Sequence, residues 1–140
     1  MGDDTRNLGL DVGDRWIGVA ISDPGGILAT PLAVVERTSE RQDKAAIADI
    51  IRRHQVAKVI VGLPVSMDGS IREQAEKVKS FVHNLSTEVG VPVEFRDERL
   101  STVSARRLMR ATGKKSTRRN RDDANAAAVI LQGYLDEERP

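Results

Sequence analysis

The sequence contains no cysteine, which excludes both a disulfide framework and a metal site built on thiolates. It also lacks any apolar stretch close to the roughly 20 residues that a membrane-spanning helix requires. The segment Met1–Asn7 is polar and charged, unlike a signal peptide. With 140 residues, the chain has the size of one domain. We therefore expect one soluble cytoplasmic domain over residues 1–140, with residues 1–7 as a disordered tail and no membrane association.

Acidic residues are missing from one long basic segment, although the net charge of the whole chain is only +1. The segment runs from Arg99 to Arg121 and holds nine cations and no carboxylate. Such a segment can be a solvated face or a surface that binds a polyanion, and its composition alone leaves both interpretations open. The nine cations are Arg99, Arg106, Arg107, Arg110, Lys114, Lys115, Arg118, Arg119 and Arg121.

Hydrophobic periodicity predicts five strands. The first three, at about 8–12, 16–22 and 32–36, are joined by short connections and so form an antiparallel meander. The fourth is the continuous apolar run VAKVIVGLP, which suits a strand covered on both faces. The fifth covers residues 91–96.

Four helices complete the pattern, and the first two open on sequences that resemble capping boxes. The alternation of strand, helix, strand, helix and strand requires right-handed parallel crossovers. We expect an α/β fold with a five-stranded mixed sheet, three antiparallel strands followed by two parallel ones, and helices on both faces. This order, with a carboxylate on the first strand, resembles the ribonuclease H-like fold. The helices are predicted to begin at Ser39 (with Gln42), at Ser70 (with Glu73), at Ser101 (ending near Thr112) and near Asp122 (ending near Asp136).

The first strand, in LGLDVG, carries an aspartate where a strand that only packs would carry an apolar residue. Alternation along the strand gives it one apolar face and one face that is nearly bare except for the Asp11 carboxylate. Since burying an unpaired carboxylate is costly, something should interact with Asp11. The apolar positions are Leu8, Leu10 and Val12, and the other face carries Gly9, Asp11 and Gly13.

Four sequence blocks resemble the motifs of the YqgF/RuvX family, in the family's order and over nearly the whole chain. They are LGLDVG with IGVAISDP, then VGLPVSMDGS, then DERLSTVSA, then DANAAAVILQGYL. The family comprises small bacterial nucleases, described as pre-16S rRNA processing enzymes and as Holliday-junction resolvase-like. The resemblance implies a metal-dependent nuclease, with 5′-end processing of pre-16S rRNA ahead of junction resolution. The chain departs from the family pattern at Trp16 and at Ile71-Arg72.

The resemblance also implies three catalytic carboxylates, Asp11, Glu98 and Asp123, which would bind Mg²⁺ or Mn²⁺. Both ions prefer oxygen ligands, and a pair of them can activate water and stabilise the oxyanions of phosphodiester cleavage. Glu98 is expected just past the end of the fifth strand, with Asp97 as its neighbour. The glycines beside Asp11 would keep side chains away, so that ions and a sugar-phosphate backbone can approach the sheet.

Two adjacent aspartates at the start of the last helix are predicted to differ in role. On a helix beginning near residue 122, Asp123 shares a face with Ala126, Ala127 and Ile130, which should point toward the sheet. Asp122 lies about 100° round the helix and suits a cap or a favourable charge at the positive helix end.

Substrate contacts are expected from the basic segment and from two loops. The stretch 113–120 has no apolar periodicity, so we expect a mobile loop that orders on substrate. Gly62, at the carboxyl end of the fourth strand, could bring backbone close to substrate. The candidate substrate-binding residues are Arg15, Gly62, Arg99, Lys114, Lys115, Arg118 and Arg119.

Two other functional classes use parts of the same pattern. Sugar-kinase and actin-like ATPases also open on Asp-x-Gly, but they need two such domains and a second phosphate loop. A non-catalytic nucleic-acid-binding module would need the basic segment and would have no reason to keep three acidic residues. The expected partner is nucleic acid, with RNA favoured over branched DNA. The chain itself is expected to be a monomer or, without cysteine, a non-covalent homodimer.

Overall fold

The computed structural model describes residues 6–64, 69–98 and 116–138, apart from the side chains of residues 64, 69–72, 98 and 116–123. Five strands and three helices lie in these ranges. In chain order they are β1 (Arg6–Val12), β2 (Trp16–Ser22), β3 (Ala29–Glu36), α1 (Glu40–His54), β4 (Val56–Pro64), α2 (Gly69–Val89), β5 (Val93–Glu98) and α3 (Ser116–Glu138).

The strands form one sheet with the order β3-β2-β1-β4-β5. β1 pairs antiparallel with β2, and β2 pairs antiparallel with β3, as expected for strands joined by short connections. β1 pairs parallel with β4, which follows α1, and β4 pairs parallel with β5, to which α2 connects it. The predicted fold class, a mixed sheet of three antiparallel and two parallel strands, is confirmed.

One face of the sheet is covered by α1 and α2 over a core of large aliphatic side chains. Alternate residues of β1, β2 and β4 point to this face, and Phe81 of α2 belongs to the same cluster with only 2 % of its surface exposed. The buried residues of this cluster include Leu8, Leu10, Ile17, Val19, Ile47, Val59, Val61, Val78 and Leu85.

The opposite face is covered by α3, over a smaller cluster of smaller side chains. Ala20 of β2 and Ile60 of β4 pack against Ala127, Ile130, Leu131 and Leu135 of the helix. At the far end of α3, the ammonium of Lys58 donates a hydrogen bond of 2.9 Å to the Tyr134 hydroxyl and lies 2.8 Å from a Glu94 carboxylate oxygen. These two bonds raise the pKa of Lys58 above its ordinary value and attach α3 to β4 and β5.

The first helix begins as its sequence predicts. The Ser39 hydroxyl accepts a hydrogen bond of 3.2 Å from the Gln42 backbone N–H, so Ser39 is the N-cap of α1. Gln55 adopts a left-handed conformation (φ 54°), which ends the helix and turns the chain into β4.

Several predicted boundaries are wrong. Arg6 and Asn7, assigned to a disordered tail, are the first two residues of β1 and pair with β4. β5 begins at Val93 rather than residue 91 and continues to Glu98, since Pro92 precedes the strand and has no N–H to donate. α2 begins at Gly69, so Ser70 is its second residue rather than its cap. β3 begins at Ala29, three residues earlier than expected.

The largest difference concerns the last helix, which begins at Ser116 rather than near residue 122. Arg118 and Arg119 therefore lie in its first turn, where a mobile loop was expected, and Asp122 is in its second turn rather than at a cap. Arginine is a good helix former, but a polar stretch offers no apolar periodicity from which to predict a helix. The helix predicted over residues 101–112 lies outside the described residues.

Within the part of the chain that the structure describes, no helix combines the length and apolar character needed to cross a membrane.

Candidate functional site

Asp11 lies near the carboxyl end of β1, the central strand, opposite Gly18 of β2. Its neighbours Leu10 and Val12 belong to the core beneath α1 and α2. Alternation therefore directs Asp11 to the face that carries α3. With 6 % of its surface exposed, it is one of only three buried polar or charged residues among those described.

Gly9, on the same face of β1, has a different role from the one predicted. A Cβ atom at this position would lie 2.8 Å from the Leu131 Cβ and 3.0 Å from the Ala127 carbonyl oxygen. The glycine therefore lets the α3 backbone lie directly on β1, and does not leave space for substrate. Gly13 belongs to the turn between β1 and β2, where a Cβ would lie 3.0 Å from the Trp16 carbonyl oxygen. The expectation that these glycines keep the sheet open for ions is wrong for Gly9, whereas for Gly13 it stays a prediction.

The direction of α3 brings Asp123 toward Asp11. Tyr134, late in the helix, bonds to Lys58, which pairs with Asn7 at the amino end of β1. Earlier in the helix, Ala127 and Leu131 lie over Gly9. The helix thus runs antiparallel to β1. Asp11 lies two residues beyond Gly9, a distance of about 6.6 Å along the strand. One turn of helix, about four residues, rises about 6 Å. The turn before Ala127 therefore lies at the level of Asp11.

Asp123 occupies that turn, four residues before Ala127. Ala126, Ala127 and Ile130 are all buried, as predicted for the face that Asp123 was assigned to. The side chain of Asp123 lies outside the described part of the structure.

Glu98 is the last residue of β5 and pairs with Pro64 at the carboxyl end of β4. Glu98 was expected just past the end of the strand. Because it is part of β5, its pairing with β4 defines its position along the sheet. Glu94 and Arg96 contact Lys58 and Glu137 on the α3 side of the sheet. Glu98 continues this alternation at the carboxyl edge, although its side chain is outside the described residues.

Asp97, the neighbour of Glu98, belongs to the other face. It is exposed and pairs with Leu63, which is part of the core beneath α1 and α2. Strand alternation thus separates two adjacent acids, and only Glu98 shares the α3 side with Asp11.

The backbone positions of the three candidate acids lie toward the same edge of the sheet. Asp11, Glu98 and Asp123 occupy positions at the carboxyl end of β1, the carboxyl end of β5 and the amino-terminal half of α3. Among the described side chains, no three His, Cys, Asp or Glu groups converge as metal ligands. The donor set formed by these three positions is nonetheless all carboxylate, which fits a hard divalent cation such as Mg²⁺ or Mn²⁺.

The candidate substrate residues are only partly located. Arg15 is exposed in the turn that follows β1, at the same edge as Asp11. Gly62 is buried on β4, opposite Arg96 and so on the α3 side. The backbones of Arg118 and Arg119 lie in the first turn of α3, and their side chains are outside the description. Arg99, Lys114 and Lys115 lie outside the described residues altogether.

Sequence analysis did not single out Arg37, which contacts the turn beyond Asp11. Its guanidinium donates to the Gly13 carbonyl oxygen at 2.9 Å and to the Asp43 carboxylate at 3.1 Å. A signal was available in retrospect, because an arginine directly after β3 must end beside the β1–β2 turn in an antiparallel meander.

Comparison with known sequences gives consistent matches over nearly the whole chain. A sequence model of the family described as "RuvX: Holliday junction resolvase" matches residues 5–137. A protein of Dehalococcoides mccartyi named "Putative pre-16S rRNA nuclease" is 50% identical over 92% of this chain and 96% of its own length. A protein of Moorella thermoacetica with the same name is 48% identical over 94% of each chain.

Comparison with solved structures supports the fold. RuvC of Thermus thermophilus in complex with a Holliday junction superposes with a TM-score of 0.60 at 16% identity, over 95% of this chain and 94% of that one. Fowlpox virus resolvase in complex with Holliday junction DNA gives a TM-score of 0.52 at 12% identity, over 95% and 98%. At these identities the similarity concerns the fold alone. The sequence matches go further, and on them this chain belongs to the RuvX family.

Proposed function

We propose that this protein is a divalent-metal-dependent nuclease that hydrolyses phosphodiester bonds in the 5′-end processing of pre-16S rRNA. The proposal is supported by the backbone positions of three acids, namely Asp11 near the carboxyl end of β1, Glu98 at the carboxyl end of β5 and Asp123 in the amino-terminal half of α3. The names of the relatives that are 48% and 50% identical over most of their length support the choice of reaction and substrate. We place the reaction in the cytoplasm, where this RNA would be processed.

The three carboxylates would hold Mg²⁺ or Mn²⁺. Such ions, when bound, supply an activated water and stabilise the charge that develops on the attacking and leaving oxygens. Asp11 contributes a rigid ligand position, because it is buried on the central strand and flanked by paired residues on both sides. Glu98 and Asp123 come from the sheet edge and from the helix, so the set is assembled only when α3 packs on β1.

The candidate substrate-binding residues would contact the nucleic-acid backbone. Arg15 is exposed at the carboxyl edge beside Asp11 and is placed to bind a phosphate there. The basic segment would extend this contact, through Arg99, Lys114, Lys115, Arg118 and Arg119, and Gly62 would allow close approach at β4. Contacts of this kind hold the substrate in register without selecting its sequence.

Resolution of Holliday junctions is the second candidate function. The description of the family model favours it, and the fold is shared with two resolvases solved with junction DNA. A resolvase would act as a symmetric dimer that cuts two strands, whereas the rRNA reaction requires one active site. Without cysteine, such a dimer would be non-covalent.

A side-by-side cleavage assay tests both candidates. Wild-type protein is given a precursor 16S rRNA fragment, an unrelated single-stranded RNA and a four-way DNA junction, each with Mg²⁺ and with Mn²⁺. We expect metal-dependent cleavage that is fastest on the precursor fragment. The Asp123→Asn variant is the control for contaminating nuclease, and the Asp122→Asn variant, altered at the adjacent acid, should keep most activity.

The outcomes separate the candidates. Cleavage of the junction alone would favour resolution over rRNA processing. Absence of cleavage of every substrate with both metals would contradict the assignment as a nuclease.

A further inference from the structure

The turn between β1 and β2 joins the Asp11 strand to the exposed Arg15. Pairing of the two strands ends at Val12 and Ile17, and the Gly13 N–H donates a hydrogen bond of 2.9 Å to the Trp16 carbonyl oxygen. Only Asp14 and Arg15 lie inside this closed turn. The position of Arg15 therefore depends on how the turn as a whole is held against the rest of the protein.

Arg37 holds the turn at two backbone atoms. Its Nη1 donates to the Gly13 carbonyl oxygen at 2.9 Å, and its own backbone N–H donates to the Arg15 carbonyl oxygen at 2.8 Å. The two acceptors flank Asp14, so rotation of the turn about either strand would break at least one of these bonds. A single residue at the end of β3 thus fixes the turn on both sides.

The Arg37 guanidinium is itself fixed by α1 and α2. Its Nε lies 3.1 Å from Asp43 Oδ2, and the other carboxylate oxygen of Asp43 accepts the Thr38 N–H at 3.1 Å. The side chain of Asp43 is only 3 % exposed, and the guanidinium carbon lies 4.8 Å from the centre of the Phe81 ring. A planar guanidinium can donate in two directions at once, whereas the single ammonium of lysine is a poor replacement for this geometry.

We propose that Arg37 is a positioning residue that acts through the turn to hold Arg15 where it binds a substrate phosphate. This role rests on the proposed function, since it requires nucleic acid to be the ligand of Arg15. Arg37 need not touch the substrate. Asp43 is a positioning residue as well, because it orients the Arg37 guanidinium toward the Gly13 carbonyl oxygen.

A purely structural role for Arg37 makes a different prediction. If Arg37 only stabilises the fold, its replacement lowers the melting temperature, and any effect on binding is independent of Arg15. If it positions Arg15, the effects of the two residues on binding are coupled, because residues that act as one unit give non-additive changes.

The experiment is a double-mutant cycle with Arg37→Lys and Arg15→Ala. Steady-state cleavage of the precursor RNA gives KM and kcat, and Kd for the same RNA is measured in the Asp11→Asn background, where binding does not depend on turnover. Arg53→Lys is the matched control, since Arg53 lies on α1 with 71% of its side chain exposed and pairs with the nearby Asp49. Hydrogen exchange at the Gly13 amide reports the state of the turn itself.

We expect Arg37→Lys alone to raise KM and Kd about tenfold, with less change in kcat, as for loss of one charge-assisted contact. In the Arg15→Ala background, Arg37→Lys should raise KM and Kd by less than about a further twofold. The Gly13 amide should exchange faster in both Arg37→Lys and Asp43→Asn. Arg53→Lys should change none of these quantities.

Additive effects on Kd, or an unchanged exchange rate at Gly13, would overturn the proposal. So would unfolding of both the Arg37→Lys and Asp43→Asn variants, which would make the network a requirement of the fold. If the wild type binds the RNA but does not cleave it, the proposed function fails, whereas the coupling in Kd still decides the role of Arg37.

Discussion

The two faces of the sheet are built from side chains of different size. Beneath α1 and α2, β1 contributes Leu8, Leu10 and Val12, and the core closes around Phe81. Beneath α3, the same strand contributes Gly9 and Asp11, and the adjacent β2 contributes Ala20. Large apolar side chains supply most of the burial that stabilises the domain. The small ones let the α3 backbone approach β1, and this approach brings the turn that contains Asp123 over Asp11.

The proposed site would separate chemistry from stability across one strand, β1. Substitutions in the core beneath α1 and α2, apart from the contacts of Arg37 with Asp43 and Phe81, should lower the free energy of unfolding and leave cleavage intact. Substitutions on the α3 face, at the carboxyl edge, should lower cleavage more than stability.

Replacing each of the two adjacent acids at the end of β5 by its amide is expected to give the largest difference in cleavage rate. Glu98→Gln should lower metal-dependent cleavage at least about a hundredfold, because an amide is a poor ligand for a hard dication. Asp97→Asn should stay within about twofold of wild type, since Asp97 is exposed and on the other face. Initial cleavage rates of the two variants at equal protein concentration provide the measurement. Comparable losses in both would mean that the carboxyl end of β5 does not separate the two acids.

Moving α3 away from β1 tests the role of Gly9. In Gly9→Ala the new Cβ would lie 2.8 Å from the Leu131 Cβ, so the helix must shift. We expect a loss of about 1–3 kcal/mol in the free energy of unfolding, together with a marked loss of cleavage. Urea unfolding and the cleavage assay measure the two effects.

The matched control for Gly9→Ala is Gly90→Ala. Gly90 has a φ of +70° and open space around it, so alanine there is strained but meets no helix. It should lower stability by about 1 kcal/mol with cleavage unchanged. Equal activity of the two variants would remove the link between α3 packing and the site.

The smallest effect is expected at the N-cap of α1. Ser39→Ala removes the hydrogen bond to the Gln42 N–H and should cost about 1 kcal/mol of stability. Cleavage measured well below the melting temperature should not change, because the Ser39 hydroxyl caps α1 and takes no part in the contacts that join Asp43, Arg37 and the β1–β2 turn. A loss of cleavage beyond that explained by unfolding would contradict the separation of the two faces.

Local patterns were enough to predict the sheet. The period-2 alternation of β1 and β2 and the apolar run of β4 depend on the sequence of each strand alone, and β2 and β4 match their predicted ranges. Boundaries failed where the structure depends on partners. The first seven residues of α3, Ser116 to Asp122, are all polar, and the end of β5 is held in the sheet by pairing with Leu63 and Pro64.

The sequence singled out the residues of the candidate site, which stay a prediction, but it did not indicate how the elements around them pack. Asp11 was identified because a carboxylate on an apolar strand requires an explanation. The role of Gly9 was misjudged because Leu131 and Ala127, which explain it, are far away in sequence. Arg37 was overlooked because its contact with Gly13, 24 residues away in sequence, forms only after β1, β2 and β3 have paired.

The most direct test of the account is the metal dependence of cleavage by Asp11→Asn. The change is nearly isosteric, so the melting temperature and Kd for the precursor RNA should stay close to those of the wild type. Cleavage in excess Mg²⁺ or Mn²⁺ should fall at least about a hundredfold, because the buried carboxylate on the central strand is lost as a metal ligand. Near-normal turnover of this variant in both metals would contradict the assignment of the α3 face as the metal-dependent site.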